Sequence, residues 1–254
     1  MTINQAFDIL KKAGDVRAAR IITDNVGHLP WWRVYFFAHQ LRRGVPVAKI
    51  IHQKWFYGIP FYTNKHTLDP RPDTETLVAA VISDNAPTPR ILDLGTGTGC
   101  IITALVKNIN GASGVGVDIS RGAIRVAKRN IKSQDLTNQV QIIRGSFANK
   151  NLTNEKFDII VSNPPYIAYG DKRVDAGAMH DPKRALYANN NGLAAYEQIA
   201  TNAKNWLKPD GKIYLEIGAG QQTAVKKIFQ NTGWKFVRAE RDLGGKVRVL
   251  IFII

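Results

Sequence analysis

From residue 90 to the carboxyl end, short apolar runs alternate with segments of helical period, and this alternation is the strongest pattern in the chain. The runs at 90–94, 115–118, 140–143, 157–161 and 212–217 read as strands. Segments 101–108, 194–207 and 221–229 carry their apolar residues on one side and read as helices. Arg121, Arg125, Lys128, Arg129 and Lys132 fall on one face of a further helix, which predicts a solvated outer surface. Strands separated by helices make an α/β domain with a parallel sheet. The carboxyl end departs from this rhythm. Segments 234–240 and 247–254 read as two strands joined across Asp242-Leu243-Gly244-Gly245, an antiparallel hairpin. The last run, Val249-Leu250-Ile251-Phe252-Ile253-Ile254, is apolar on both faces and predicts a strand buried between neighbours.

Residues 1–50 are helical in pattern, with a break at Gly27-His28-Leu29-Pro30. Trp31, Trp32, Tyr35, Phe36, Phe37 and Leu41 have helical spacing and read as core. Residues 51–75 read as a connecting hairpin or linker, with Gly58-Ile59-Pro60-Phe61 as its turn. The expected organisation is therefore a short helical region at 1–50, a linker at 51–75 and the main domain at 76–254.

Composition narrows the class. With 254 residues, 44% of them hydrophobic, the chain can bury one full α/β domain and a smaller accessory piece. No apolar run approaches the roughly 18 residues of a membrane span, and residues 1–11 lack a secretory signal pattern. A soluble, cytoplasmic protein is expected. The single cysteine, Cys100, excludes an intrachain disulfide and reads as a small core residue at a helix start. Net charge is +15, a sign that favours encounter with a polyanion such as RNA or the ribosome, or with an acidic protein. The first 60 residues concentrate it: Lys11, Lys12, Arg17, Arg20, Arg33, Arg42, Arg43, Lys49 and Lys54 stand against Asp8, Asp15 and Asp24. A uniformly basic surface without a specific partner fits the charge equally well.

Three elements end strands at one edge of the expected sheet, where ligands bind in open α/β folds. The first is the glycine turn Asp93-Leu94-Gly95-Thr96-Gly97-Thr98-Gly99, which lets a ligand approach the backbone and the amides of the following helix. Asp93 reads either as a structural acceptor in that turn or as a group orienting a cofactor amine. The second is Asp118, whose carboxylate suits the two ribose hydroxyls of an adenosine. These two fit a nicotinamide or a sulfonium cofactor alike. Asn163-Pro164-Pro165-Tyr166 decides for the sulfonium and for methyl transfer to a conjugated nitrogen. An amide nitrogen is a poor nucleophile because its lone pair is delocalised, and no side-chain base deprotonates it near neutral pH. A site can instead hold it. The Asn163 side-chain oxygen and the Pro164 carbonyl each accept one N–H, turning the lone pair toward an electrophilic methyl group. The two prolines stiffen that carbonyl, and Tyr166 offers a flat face for the substrate. His28, His39, His52, His66 and His180 lack metal-ligand spacing, so no metal is expected.

With these residues in place, the chain resembles the HemK-type peptide chain release factor glutamine N5-methyltransferases. The resemblance covers about residue 42 to the carboxyl end. It rests on Arg71-Pro72-Asp73-Thr74-Glu75-Thr76-Leu77-Val78, on Ile91-Leu92-Asp93 with the glycine turn, on Val161-Ser162-Asn163-Pro164-Pro165-Tyr166-Ile167, and on Asp181-Pro182 followed by Ala185-Leu186. It implies a Rossmann-like class I methyltransferase fold, with a mostly parallel seven-stranded sheet ending in an antiparallel hairpin, and residues 1–50 as a short substrate-docking domain. It implies S-adenosylmethionine as cofactor, bound by Gly95, Thr96, Gly97, Thr98, Gly99, Asp118, Phe147 and Asn163. It further implies that Asn163, Pro164, Pro165 and Tyr166 bind the glutamine of the Gly-Gly-Gln loop of class 1 release factors, with Asn163 and Pro164 catalytic by positioning, and a role in translation termination; for the oligomeric state, a monomer is the default expectation. Two departures are visible: Ser146-Phe147 stands where the family carries an acidic-aromatic pair, and the amino-terminal region is shorter than the family's. The alternatives are an N6-adenine methyltransferase acting on a flipped or single-stranded base of DNA or RNA, a glutamine methyltransferase of a ribosomal protein, and a basic RNA-binding assembly factor without activity.

Overall fold

A computed structural model describes residues 1–84, 86–171 and 176–254. Seven strands form the main sheet: β3 (Arg90–Leu94), β4 (Ser113–Asp118), β5 (Val140–Arg144), β6 (Phe157–Ser162), β9 (Leu207–Glu216), β10 (Lys235–Arg241) and β11 (Val247–Ile253), in the spatial order β10-β11-β9-β6-β3-β4-β5. β5, β4, β3, β6 and β9 run parallel, and β11 and β10 are antiparallel to their neighbours. The continuous apolar runs follow from burial on both faces. Ile91, Ile159, Val161 and Tyr214 pack with α5 (Pro72–Ser83), α6 (Cys100–Asn108) and α7 (Arg121–Ser133), while Leu92, Leu94, Ile160 and Ile213 pack with α10 (Ala194–Asn202) and α11 (Gln222–Asn231). β11 lies between β9 and β10 with Val249, Leu250, Ile251 and Phe252 fully buried, as its pattern requires. The edge strand β10 carries Lys235, Arg238, Glu240 and Arg241, charges that discourage pairing with another chain.

Two elements differ from expectation. The helix expected over 194–207 stops at Asn202 and tightens into a 3₁₀ turn, Ala203–Asn205, so that Leu207 already belongs to β9. The turn expected at 58–61 sits one step earlier: Tyr57 and Gly58 have φ of 49° and 72°, and Ile59–Tyr62 is strand β2, paired with β1 (Gln53–Phe56). Both central residues of a type I′ hairpin turn need positive φ, and glycine supplies only one of them without strain.

The amino-terminal helices α1 (Ile3–Ala13), α2 (Val16–Val26), α3 (Trp31–Arg42) and α4 (Val47–Ile51) enclose their own small core around Leu10, Ile22, Val34 and Phe37. Thr2 and Gln5 close a capping box on α1, and Gly27 at φ 60° makes the break before α3. The aromatic cluster of α3 is not core, contrary to the pattern reading. Of its aromatics only Phe37 is buried; Trp31, Trp32, Tyr35 and Phe36 are 64%, 58%, 53% and 53% exposed. α3 meets its neighbours along one stripe, Val34, Phe37, Ala38 and Leu41, and the four other rings occupy the rest of its circumference. No helix among the described residues is long and apolar enough to cross a membrane.

Lys49 likewise leaves the surface. Its ammonium is buried where α4, the segment after β2 and the segment before α8 (Lys183–Leu186) meet, 2.7 Å from Asp69 and 2.9 Å from Asp181. It also donates to the carbonyls of Asn64 and Thr67 at 2.8 and 2.6 Å. Arg71 holds the other oxygen of Asp181 at 2.7 Å.

Asp84 ties the end of α5 to the sheet through Arg238 at 2.6 Å, Lys212 at 2.8 Å and the Tyr214 hydroxyl at 2.5 Å. Burial pushes its carboxyl up, but these partners outweigh burial and hold it at about 2, against an ordinary 3.8. A depressed carboxylate stabilises the fold above its unfolded value and loses that contribution as pH falls through the folded one. We expect Asp84→Asn to flatten the loss of stability between about pH 4 and 2 in acid denaturation followed by circular dichroism. An unchanged slope would assign that loss to other carboxylates.

Candidate active site

The cavity opens at the carboxyl ends of β3, β4 and β6, where the loops after these strands converge, and measures about 260 Å³. Each element arrives for a local reason. After β3 the chain reverses through Gly95, Gly97 and Gly99 at φ 76°, 56° and 78°, a region that side chains with a Cβ rarely enter. At Gly95 an added Cβ would meet nothing within 4 Å, so this turn faces open space. Gly95 and Thr96 both donate backbone N–H groups to the Val117 carbonyl at 2.9 Å, which pins the turn to β4. Asn130 of α7, only 1% exposed, pins it from behind: its Nδ2 donates to the Thr98 and Tyr62 carbonyls at 2.9 and 3.0 Å, while its Oδ1 accepts from the Tyr62 amide at 2.8 Å. One amide thus locks the β1–β2 hairpin to the glycine turn.

Asp118 ends β4 and lines the cavity. Its two oxygens accept from the amides of Gly97 and Ser120 at 3.0 and 2.8 Å, leaving further lone pairs for a ligand. Burial raises its pKa, while those amides oppose the rise. Asp93 is fully buried behind the turn and does not line the cavity. Its Oδ2 accepts from the Thr96 hydroxyl at 2.6 Å and its Oδ1 has no hydrogen-bond partner among the described residues. Burial pushes it to about 7, with Asp118 adding to the rise. The structural role is the one realised. Cys100, the first residue of α6, is buried and its thiol is pushed up to about 12, so it is neutral and no nucleophile near pH 7.

At the end of β6, Asn163 and Pro165 line the cavity; Pro164 is buried, and Tyr166 lies beyond the lining. The Tyr166 ring lies over Gly218, where an added Cβ would come within 2.9 Å of it, and its carbonyl accepts from Gln221 at 2.9 Å. Asn163 donates from Nδ2 to the Thr74 hydroxyl at 3.1 Å. That leaves its Oδ1 as the unassigned acceptor. Gly95, Thr96, Gly97, Thr98, Ser146 and Phe147 also line the cavity, whereas Gly99 sits behind it as the cap of α6, facing Ala127. The Ser146 hydroxyl accepts from the Ala148 amide at 3.1 Å.

Pattern reading passed over several residues that the fold brings here. The segment 66–71 lines the cavity, although it reads as linker. Ile119 lines it while 55% exposed, an apolar side chain left open to the cavity, which Phe147 also lines. Its position directly after Asp118 was the only signal available. Thr74 lies within the motif Arg71 to Val78, but nothing local announces a contact with Asn163. Among the described residues no group of three or more His, Cys, Asp or Glu could hold a metal ion.

The sheet order, the antiparallel last strands and the glycine turn facing Asp118 define a class I methyltransferase. Residues 86–235 match the family model described as "Methyltransferase domain". A solved structure titled "Crystal structure of Methyltransferase from Pyrococcus furiosus" shares the fold at TM-score 0.59 and 18% identity, over 87% of this chain and 96% of that one. The "Release factor glutamine methyltransferase" of Agrobacterium fabrum is 39% identical over 233 residues, 87% of this chain and 78% of its own length. The chain belongs to the release factor glutamine methyltransferase family. It also matches the "Bifunctional methyltransferase" of Rickettsia felis at 40% identity over 82% of this chain, and spans 45% of that longer protein.

The fold and family imply S-adenosylmethionine as methyl donor, and the residues present fit it. The glycine turn offers space and backbone amides, Asp118 has acceptor capacity for ribose, and Ile119 and Phe147 offer apolar contacts for a base. The Asp118 carboxylate in the cavity wall suits a cofactor that carries positive charge.

Proposed function

We propose that this chain methylates the side-chain amide nitrogen of the glutamine in the Gly-Gly-Gln loop of class 1 release factors, using S-adenosylmethionine, and thereby affects translation termination. One observation carries the reading: Asn163 stands at the cavity mouth with its Nδ2 already committed to Thr74, in a chain whose relatives are named for this reaction. Bound S-adenosylmethionine supplies an electrophilic methyl group. Gly95, Thr96, Gly97 and Thr98 would hold its methionine part, with Gly99 shaping the turn from behind, Asp118 would hold its ribose, and Phe147 and Ile119 its base.

The protein's own task is positioning. Asn163 Oδ1 and the Pro164 carbonyl accept the two N–H groups of the glutamine amide, Pro165 lines its slot with Tyr166 beyond it over Gly218, and the nitrogen lone pair is turned toward the methyl group. Holding the reactants in line converts a bimolecular encounter into a local one, a gain that needs no base. The protein works in the cytoplasm as a monomer.

Residues 1–50 are the docking region. Four exposed aromatics on α3 beside Arg33, Arg42 and Arg43 have the composition of a protein interface, rich in aromatic rings and arginine. Reversing charge at Arg42 and Arg43 is expected to raise KM for the release factor on the order of tenfold at low salt, with kcat unchanged and the effect shrinking as salt rises. An unaltered KM at low salt would remove these residues from the docking surface.

The deciding experiment is transfer of a radiolabelled methyl group to a purified release factor, to its loop Gln→Ala variant, and to bulk RNA and DNA in parallel. Label on the intact factor alone is expected. Label on nucleic acid would instead favour N6-adenine methylation, whose conjugated exocyclic amine the Asn163-to-Tyr166 device also serves and to which the +15 charge is suited.

A further inference from the structure

We propose that Glu216 is a positioning residue for the transfer: acting through Thr74, its ionised form fixes the Asn163 carboxamide with the oxygen toward the cavity. The inference rests on the reading of Asn163 as acceptor for the substrate nitrogen.

A carboxamide carries a donor and an acceptor of almost the same shape, so a half-turn exchanges them, and only the hydrogen-bonding neighbours choose. For Asn163 the neighbour is the Thr74 hydroxyl, 2% exposed, at 3.1 Å from Nδ2. A hydroxyl can accept from Asn163 or donate to it. What Thr74 does depends on where its own hydrogen goes, and the group behind it is Glu216.

Glu216 is the last residue of β9 and is 1% exposed. In the parallel β6–β9 pair Ser162 stands opposite Leu215, so the next residues of the two strands, Asn163 and Glu216, emerge at the same level. The Thr74 and Asn163 side chains both favour the ionised form of Glu216. Its Oε2 is buried and has no hydrogen-bond partner among the described residues. An ionised carboxylate only accepts. Thr74 then turns its hydrogen to Glu216 and presents lone pairs to Asn163, which must offer N–H, and the amide oxygen is left facing the cavity. A protonated Glu216 can donate instead. Thr74 is then free to donate to Asn163, and the reversed carboxamide, with N–H toward the substrate amide, is no longer excluded.

The switch between these states falls in an accessible range. Burial pushes Glu216 up to about 7, opposed by Thr74, Arg248 and Asn163. The other groups facing it are Arg248 on β11, Asp73 on α5, Tyr166 beyond β6, Tyr196 on α10 and Cys100 on α6. Arg248 is shared with Asp73 and Asp242, each at 2.8 Å, and the Tyr196 hydroxyl donates to the Glu216 carbonyl at 2.9 Å.

The test compares wild type, Glu216→Gln, Thr74→Val and Thr74→Ser at saturating cofactor and release factor. In wild type kcat is expected to rise with pH through about 7. Glu216→Gln should lower kcat on the order of tenfold, the weight of one misdirected hydrogen bond, and abolish that limb, with cofactor Kd unchanged. Thr74→Val should reproduce the loss and Thr74→Ser restore activity. Independently of turnover, the Asn163 side-chain N–H resonances, identified by their absence in Asn163→Ala, should titrate near pH 7 in wild type and not in Glu216→Gln. A Glu216→Gln enzyme that keeps the limb, or Asn163 resonances insensitive to Glu216, overturns the proposal. An Asn163→Ala enzyme with full activity sinks the underlying reading instead, so the two failures are distinguishable.

Discussion

Asn163→Ala is expected to lower kcat for release factor methylation by roughly 10²- to 10³-fold or more, the cost of losing a preorganised hydrogen-bonding group aimed at the reacting atom. Cofactor affinity should change little. Asn163 borders the cavity from β6, whereas the glycine turn and Asp118 belong to the β3 and β4 side and are held by their own backbone bonds to Val117, Gly97 and Ser120. Removing the Asn163 amide also leaves Thr74 without its donor, but Thr74 is packed on α5 and has Glu216 to face. Single-turnover methyl transfer and calorimetric titration with S-adenosylmethionine separate the two quantities. If binding collapses along with turnover, Asn163 belongs to the cofactor's side of the cavity and the acceptor assignment is wrong.

The second large effect concerns stability. Lys49→Met is expected to cost about 3–5 kcal/mol of unfolding free energy, as when one partner is removed from a buried ion pair. The ammonium is 6% exposed and is the cation shared by Asp69 and Asp181, which the variant would leave facing each other in a dry site. Arg71 compensates only one oxygen of Asp181. Urea denaturation measures the loss. Adding Asp69→Leu to Lys49→Met should recover part of it, because an apolar pair of similar size is tolerated where an unpaired charge is not. A loss below about 1 kcal/mol would mean that water reaches the cluster and screens it. Thr67, Asp69, Arg71 and Pro182 border the cavity, so weakened cofactor binding is expected to accompany any loosening.

The strands of the main sheet, the one that must lie inside it and the loops that meet at the cavity were legible along the chain. Val249 to Phe252 could only be satisfied by burial on both faces, and the sheet supplies it. Gly95, Asp118 and Asn163 each sit within a few residues of a strand end, and a parallel sheet gathers such ends at one edge whatever the details of packing. The pattern predicts the rings of α3 as core, yet four of them are exposed, because helical spacing shows that aromatics share a face, not whether any partner covers it.

Local pattern therefore determined the fold class, the strand ends and the motif residues, since these depend on periodicity and backbone geometry within a few residues. Tertiary structure alone decided the rest. Lys49 looked like one more surface charge until α4 carried it against Asp69 and Asp181. Asn130 became a clamp only when α7 met both the hairpin and the glycine turn. Thr74, Asn163 and Glu216 come from a helix and two strand ends far apart in sequence, and no spacing rule relates them. Hydrogen-bond direction and desolvation depend on which groups share a buried volume, and that is fixed only when distant segments pack.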